Sequence, residues 1–161
     1  MNLFETAPEW LAWVLVALLA AAALQDAIRL KISNILCLGV LVCGVIAIGL
    51  AGPDTALWQN ALVFAVLLAG GTLLFGAGKM GGGDVKLLAA VGLWCNLSAA
   101  LTLLPIVFIS GGILAMAILG GRVVAPAGAA QRVAIMKPGS GIPYGIAIAA
   151  GAIATLALSQ G

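Results

Sequence analysis

Two of the five acidic side chains lie where an ionised group is costly, and they are the candidates for chemistry. Asp26 ends an apolar run, and Asp84 opens another after three glycines in the string KMGGGDVKLL. An ionisable group at membrane depth costs about 2.5–3.5 kcal/mol and usually faces a bundle interior or a wet cavity. Each acid alone is also explained by pairing with a nearby basic residue, but two such acids at one level favour a site.

A pair of aspartates can activate water without help from a metal or a cofactor. When two carboxyl groups lie close together, both cannot ionise easily, so one keeps its proton at neutral pH. The ionised member takes a proton from water while the neutral member polarises a peptide carbonyl. We expect no metal and no cofactor, because histidine is absent and no CxxC pair occurs.

The glycine run before Asp84 suits a close approach of another chain. Gly81, Gly82 and Gly83 permit backbone angles that are closed to other residues, and they would let a substrate strand lie near the main chain. A plain loop before a helix explains the same residues equally well by glycine content alone.

The apolar runs define the elements that must position these acids. A mean hydropathy of +1.26 with 7% charged residues excludes an ordinary soluble domain, in which about a quarter of residues are charged. A spanning helix needs about 20 apolar residues, so the uncharged run 87–121 is too long for one crossing, and WCNLS at 94–98 supplies a turn. We therefore predict an all-α polytopic membrane protein, one membrane-embedded domain over 1–161, with six transmembrane helices of which the fourth is short. The predicted helices are 9–28, 34–51, 57–77, 84–95, 98–119 and 142–159.

The charges predict how this bundle is oriented. With six spans, all seven basic residues fall on one side, as the positive-inside rule expects of a cytoplasmic face. The tryptophans fall at the opposite interface, which places both termini on the non-cytoplasmic side; they are Trp10, Trp13, Trp58 and Trp94. A net charge of +2 without a basic cluster argues against nucleic acid as a partner, and the partner that the composition requires is the lipid bilayer.

The residues around both aspartates resemble the prepilin peptidases, the type IV prepilin leader peptidase family of membrane aspartic proteases. The segment 81–86, GGGDVK, matches the family motif GxGD in its GxGDxK form. Asp26 is followed by a basic loop that ends in Ile32-Ser33-Asn34, similar to the first motif of the family, with Ser33 where proline is common. Pro143-Tyr144-Gly145 is similar to an element near the C-terminus of the family.

This resemblance implies a catalytic pair, Asp26 and Asp84, which removes the basic leader of a prepilin or pseudopilin precursor at the cytoplasmic face of the bacterial inner membrane. It also implies a set of substrate-binding or site-shaping residues, namely Gly81, Gly82, Gly83, Lys86, Asn34, Pro143, Tyr144 and Gly145. Because the chain lacks the CxxC-containing insert of the bifunctional members, it resembles the small tight-adherence (Flp-type) branch, without N-methyltransferase activity. From the residues alone, Lys86 and Tyr144 are equally explained as interfacial anchors.

Two alternatives use the same acids. A small proton-coupled transporter or proton-conducting subunit would use Asp26 and Asp84 as a relay, although no inverted repeat is evident. A protease of the presenilin type shares GxGD but pairs it with a tyrosine-aspartate motif, whereas Tyr144 is not followed by aspartate. The segment 120–141 is expected to be an inner loop that acts as a positive-inside anchor, with a lid as the alternative.

Overall fold

The computed structural model describes residues 1–52, 56–124 and 141–160, and within these ranges the regular elements are helices without a strand. The all-α prediction is confirmed for them. In chain order the helices are α1 (Leu3–Thr6), α2 (Glu9–Arg29), α3 (Asn34–Ala51), α4 (Leu57–Gly76), α5 (Gly82–Gly92), α6 (Leu97–Val124) and α7 (Tyr144–Gln160).

The long helices make this a multi-pass membrane protein. By length and composition, α2, α3, α4 and α6 can each cross a membrane, and α7 is a shorter apolar helix. At about 1.5 Å per residue, the 11 residues of α5 extend roughly 16 Å, about half of the ~30 Å hydrocarbon thickness. Six spans with both termini outside remain a prediction.

The α5–α6 region differs in detail from the predicted helices at 84–95 and 98–119. Helix α5 begins at Gly82, so Asp84 lies inside its first turn instead of opening the helix. It ends at Gly92, and Asn96 then caps α6 by accepting a hydrogen bond of 2.8 Å from the N–H of Ala99. The expected turn therefore forms at 93–96, because the Asn96 side chain satisfies a first-turn donor of α6.

Helix α5 is the centre of the bundle. Every residue from Asp84 to Gly92 except Lys86 is buried, and α5 packs against α3, α4 and α7. Gly71 of α4 permits this packing, since a Cβ there would lie only 2.7 Å from a methyl group of Val85. The outer helices instead expose large apolar side chains to the bilayer, such as Leu101, which is 75% exposed.

The N-terminal residues and Trp94 form a part of the core that the sequence pattern did not indicate. Trp10, Trp13 and Trp58 are exposed, as expected at an interface, but Trp94 is completely buried. Its ring stacks on Phe4 of α1 at a centroid distance of 6.1 Å, and its Nε1–H donates to the carbonyl of Val40. Trp94 is buried because α1 packs over it and covers its apolar ring. Asp54 and most of the predicted loop 120–141 lie outside the described residues.

Candidate active site

Asp26 lies in the last turns of α2 and is almost completely buried, with 3% of its surface exposed. Its Oδ2 accepts a hydrogen bond of 2.8 Å from the backbone N–H of Gly145, in the first turn of α7. The first N–H groups of a helix have no intrahelical partner, so they are available to a carboxylate. One hydrogen bond thus joins two residues that are 119 positions apart in the chain.

Asp84 reaches the same peptide group from another helix. It lies in the first turn of α5 with 8% of its surface exposed. Its carboxylate lies near the backbone N–H groups of Gly81 and Gly145, and it is close enough to Asp26 for electrostatic repulsion between the two acids. Oδ1 of Asp84 is buried and has no hydrogen-bond partner among the described residues. That oxygen remains able to accept one.

The two carboxylates lie at the N-termini of two helices, α5 and α7. Each helix start carries a partial positive charge and stabilises a nearby anion by typically 0.3–1 kcal/mol, and by up to about 2 kcal/mol where the geometry is favourable and partly buried. Two such ends offset a large part of the cost of about 2.5–3.5 kcal/mol for an acid at membrane depth. The arrangement therefore lowers the free-energy cost of a negative charge at this position.

The turn after Asp26 is held by hydrogen bonds that a proline could not make. Leu30 ends α2 in the left-handed conformation (φ 52°), and its N–H donates to the carbonyl of Asp26 at 2.8 Å. The N–H of Ser33 donates to Oε1 of Gln25 at 2.6 Å, and Oγ of Ser33 caps α3 by accepting from the N–H of Ile35 at 3.1 Å. At position 33, where the family motif commonly has proline, serine thus supplies both a backbone donor and a helix cap.

The three glycines before Asp84 have different environments. A Cβ on Gly83 would lie 3.0 Å from Cβ and 3.1 Å from the carbonyl oxygen of Ile32, in the turn that follows α2. A Cβ on Gly81 would lie 2.6 Å from Oδ2 of Asp84, whereas a Cβ on Gly82 would meet only ordinary contacts from 3.4 Å outward. Gly81 and Gly83 are therefore required by close approach, and Gly82 is not.

The predicted Pro143-Tyr144-Gly145 element lies at the start of α7. Of its three residues, Gly145 is the one that contacts the carboxylate of Asp26. A Cβ on Gly145 would lie 2.8 Å from Oδ2 of Asp26 and 2.7 Å from Cδ1 of Ile32. Pro143 is buried just before the helix, and the Tyr144 ring lies beside Gly111 of α6. Glycine at 145 thus lets the N-terminus of α7 come close enough to donate to Asp26.

The predicted residues Lys86 and Asn34 contact each other and form no hydrogen bond or ion pair with the two acids among the described residues. Lys86 is exposed on α5, and its Nζ donates to Oδ1 of Asn34, the first residue of α3, at 2.9 Å. Between this pair and the acids lies Cys37, a buried thiol whose Sγ is 3.6 Å from the carbonyl oxygen of Gly83.

Gln25 and Ile32 are structural contributors that sequence reasoning did not single out. Gln25 binds the backbone of the turn at Ser33, and Ile32 within that turn contacts the start of α5 and the start of α7. Ile32 belongs to the quoted first motif, which was the available signal for its importance. Nothing in the local pattern distinguishes Gln25 from any other polar residue near a helix end.

A comparison with known protein families matches residues 13–119 to the type IV leader peptidase family. The match covers 107 of the 161 residues and includes Asp26 and Asp84, whereas Gly145 lies beyond it. Comparisons with curated proteins and with solved structures gave no match. The match to more than half of its length means that this chain belongs to the type IV leader peptidase family.

Proposed function

We propose that the protein is an aspartic endopeptidase that removes the basic leader of a prepilin or pseudopilin precursor, of the tight-adherence (Flp) type, at the cytoplasmic face of the bacterial inner membrane. The observation that supports this most is the approach of two buried carboxyl groups, Asp26 and Asp84, to one backbone N–H at Gly145. Family membership supplies the class of reaction.

In the proposed reaction the two acids act as a unit on one water molecule. The ionised carboxylate takes a proton from water, and the water oxygen attacks the carbonyl carbon of the scissile peptide. The protonated carboxyl group donates its proton to the carbonyl oxygen. When the tetrahedral diol collapses, the C–N bond breaks, the departing amine takes up a proton from the pair, and one hydroxyl of the diol returns a proton to the pair, which ends with the single proton it began with. Because a coupled pair titrates jointly, the two roles are not divided between Asp26 and Asp84.

The place of the acids suits a substrate that is itself a membrane helix. A prepilin has an apolar helix in the bilayer and a charged leader in the cytosol, so its scissile bond lies near the inner interface, where the basic residues predict this site to lie. Helical peptide bonds are shielded by their own hydrogen bonds. We propose that the segment around Gly81–Gly83 accommodates the unwound substrate chain near the cleavage point.

The test is cleavage of a co-expressed pilin precursor by wild-type protein and by Asp26→Asn and Asp84→Asn variants. Each substitution keeps the side-chain volume but removes the acid, so each variant is expected to insert normally and leave the precursor uncut. Glu9→Gln, at an exposed position in the first turn of α2, and Asp54→Asn are the controls and should process the precursor at the wild-type rate.

The same experiment separates the protease from the proton relay. A relay protein would leave the precursor uncut in every version, including wild type. Cleavage that persists in either aspartate variant at an unchanged rate would refute the paired mechanism.

A further inference from the structure

A groove outside the acid pair opens between α3 and α4, with α5 as its floor. It has a volume of about 300 Å³. Its apolar lining comes from all three helices and comprises Leu38, Leu41, Phe64, Leu68, Ala89 and Ala90. Because α5 keeps α3 and α4 apart, the groove lies between two helices that the composition places in lipid.

One end of this groove is polar and cationic. Asn34 and Lys86 line it at that end and are joined by a hydrogen bond of 2.9 Å. Among the described residues no acidic side chain forms an ion pair with Lys86. Its Nζ donates instead to the neutral amide oxygen of Asn34. The spacing Asn34, Cys37 and Leu41 follows one face of α3, so the groove runs about 10 Å along the helix from its polar end.

The volume decides what kind of ligand fits. An apolar cavity of 150 Å³ is known to hold one benzene ring, so 300 Å³ holds on the order of a dozen carbon atoms. The groove therefore suits one flexible hydrocarbon chain.

We propose that this groove binds a phospholipid with an anionic headgroup. One acyl chain lies along Leu38, Leu41 and Leu68. The headgroup phosphate pairs with the ammonium group of Lys86, which Asn34 orients by accepting a hydrogen bond from it. Basic positions between membrane helices on the cytoplasmic side are a recurring setting for anionic lipid headgroups. The ligand would contact Cys37, which in turn contacts Gly83 of the acid-bearing helix.

Lipid retention by the whole purified protein tests the proposal without any cleavage assay. Native mass spectrometry would compare retention of dioleoyl phosphatidylglycerol with that of dioleoyl phosphatidylcholine. A basic residue near the membrane surface contributes about 1 kcal/mol to anionic lipid binding, so Lys86→Gln should reduce the preference for phosphatidylglycerol about fivefold. The matched control Lys31→Gln, an exposed lysine outside the groove, removes the same charge and should reduce the preference clearly less than Lys86→Gln does.

A second pair of variants tests the apolar part. Leu68→Trp fills the groove and should lower retention of both lipids, whereas Leu101→Trp, at a lipid-facing position on α6, should not. The proposal is overturned if Lys86→Gln keeps the wild-type preference or if Leu68→Trp keeps the wild-type retention. A third outcome also overturns the proposal, namely that Lys86→Gln and Leu68→Trp both raise the KM for a pilin precursor in neutral-lipid nanodiscs while lipid retention is unchanged. The groove would then bind the substrate.

Discussion

At the scale of single residues, the candidate site depends on the absence of side chains as much as on their presence. Asp26 and Asp84 supply the acids, but Gly83 and Gly145 set how closely the helices that surround them approach. At both glycines a Cβ would meet Ile32, and at Gly83 it would also meet the backbone oxygen of that residue, which cannot rotate away. The spacing of the acids is therefore sensitive to one methyl group at these positions.

The glycine run provides a matched pair of variants. We predict that Gly83→Ala lowers the rate of precursor cleavage by up to about tenfold, because its Cβ would displace α5 from Ile32 by a few tenths of an ångström, and a displacement of about 1 Å costs on the order of a hundredfold. Gly82→Ala should be impaired less, since its Cβ meets only ordinary contacts within the protein. Time courses of cleavage in membranes with equal protein levels measure both. Equal rates for the two variants would contradict this account of the glycines.

At the scale of elements, the turn 30–33 and helix α5 hold the two acids in register. The turn is tied to α2 through the 2.6 Å bond between Gln25 and Ser33, and Ile32 projects from it onto α5 and α7. Helix α5 is in turn packed between α3, α4 and α7. Each acid is thus positioned by contacts of its whole element and not by the few residues next to it.

For the turn, we predict that Gln25→Leu lowers the turnover number and that Gln25→Glu largely restores it. Leucine leaves the N–H of Ser33 without its acceptor, at a cost of about 1–3 kcal/mol, whereas glutamate keeps a carboxylate oxygen there. Single-turnover and steady-state kinetics distinguish an effect on the chemical step from an effect on KM. A loss confined to KM would show that the turn acts on substrate binding instead of on the acids.

For the packing of α4 on α5, Gly70 and Gly71 are neighbouring positions with opposite expectations. Gly71→Ala should lower the thermal midpoint in detergent, because its Cβ would lie 2.7 Å from Val85 Cγ1. Gly70→Ala, with nothing within 4 Å of its Cβ, should raise it, since alanine stabilises a helix interior by about 0.5–1 kcal/mol relative to glycine. The explanation fails if both variants shift the midpoint in the same direction by the same amount.

At the scale of the whole molecule, the bilayer is part of the structure. Apolar side chains cover the outside of α3, α4 and α6, while the polar atoms of the acid pair are enclosed by protein. The basic residues in the described part of the chain lie near helix ends or in short connections, which sets the expected orientation.

The orientation can be measured by labelling single cysteines in a background in which Cys37, Cys43 and Cys95 are replaced by alanine. With a membrane-impermeant maleimide, Glu5→Cys should react in cells with a permeabilised outer membrane and an intact inner membrane. Lys31→Cys should react only after the inner membrane is opened, because both termini are predicted to lie outside and the first loop inside. The reverse labelling pattern would invert the topology and place the acids on the periplasmic side.

The absence of a CxxC-containing insert leads to an expectation about the product. Under the proposed function, we predict that the mature pilin is released with a free, unmethylated N-terminal amine, because the chain resembles the peptidase-only branch. The mass of the mature N-terminal peptide after co-expression measures this directly. A mass increase of one methyl group that depends on this protein would exclude that branch.

The sequence by itself determined where the first long helices lie and which acids are the candidates for chemistry. Apolar runs interrupted by charges indicate helices near 9–28, 34–51 and 57–77, and α2, α3 and α4 lie at those positions. Asp26 and Asp84 stand out because an acid beside an apolar run is costly wherever it occurs, and that cost is a local property.

Only the tertiary structure decided what surrounds the acids. The Gly145 N–H reaches Asp26 across 119 positions, Ile32 lies against two helix starts, and Trp94 is buried under the N-terminal residues. These arrangements depend on how helix surfaces fit together, and the apolar residues of a membrane helix look alike whether they face lipid or protein. Periodicity and charge therefore locate the helices, whereas close packing between small residues selects which of their ends meet.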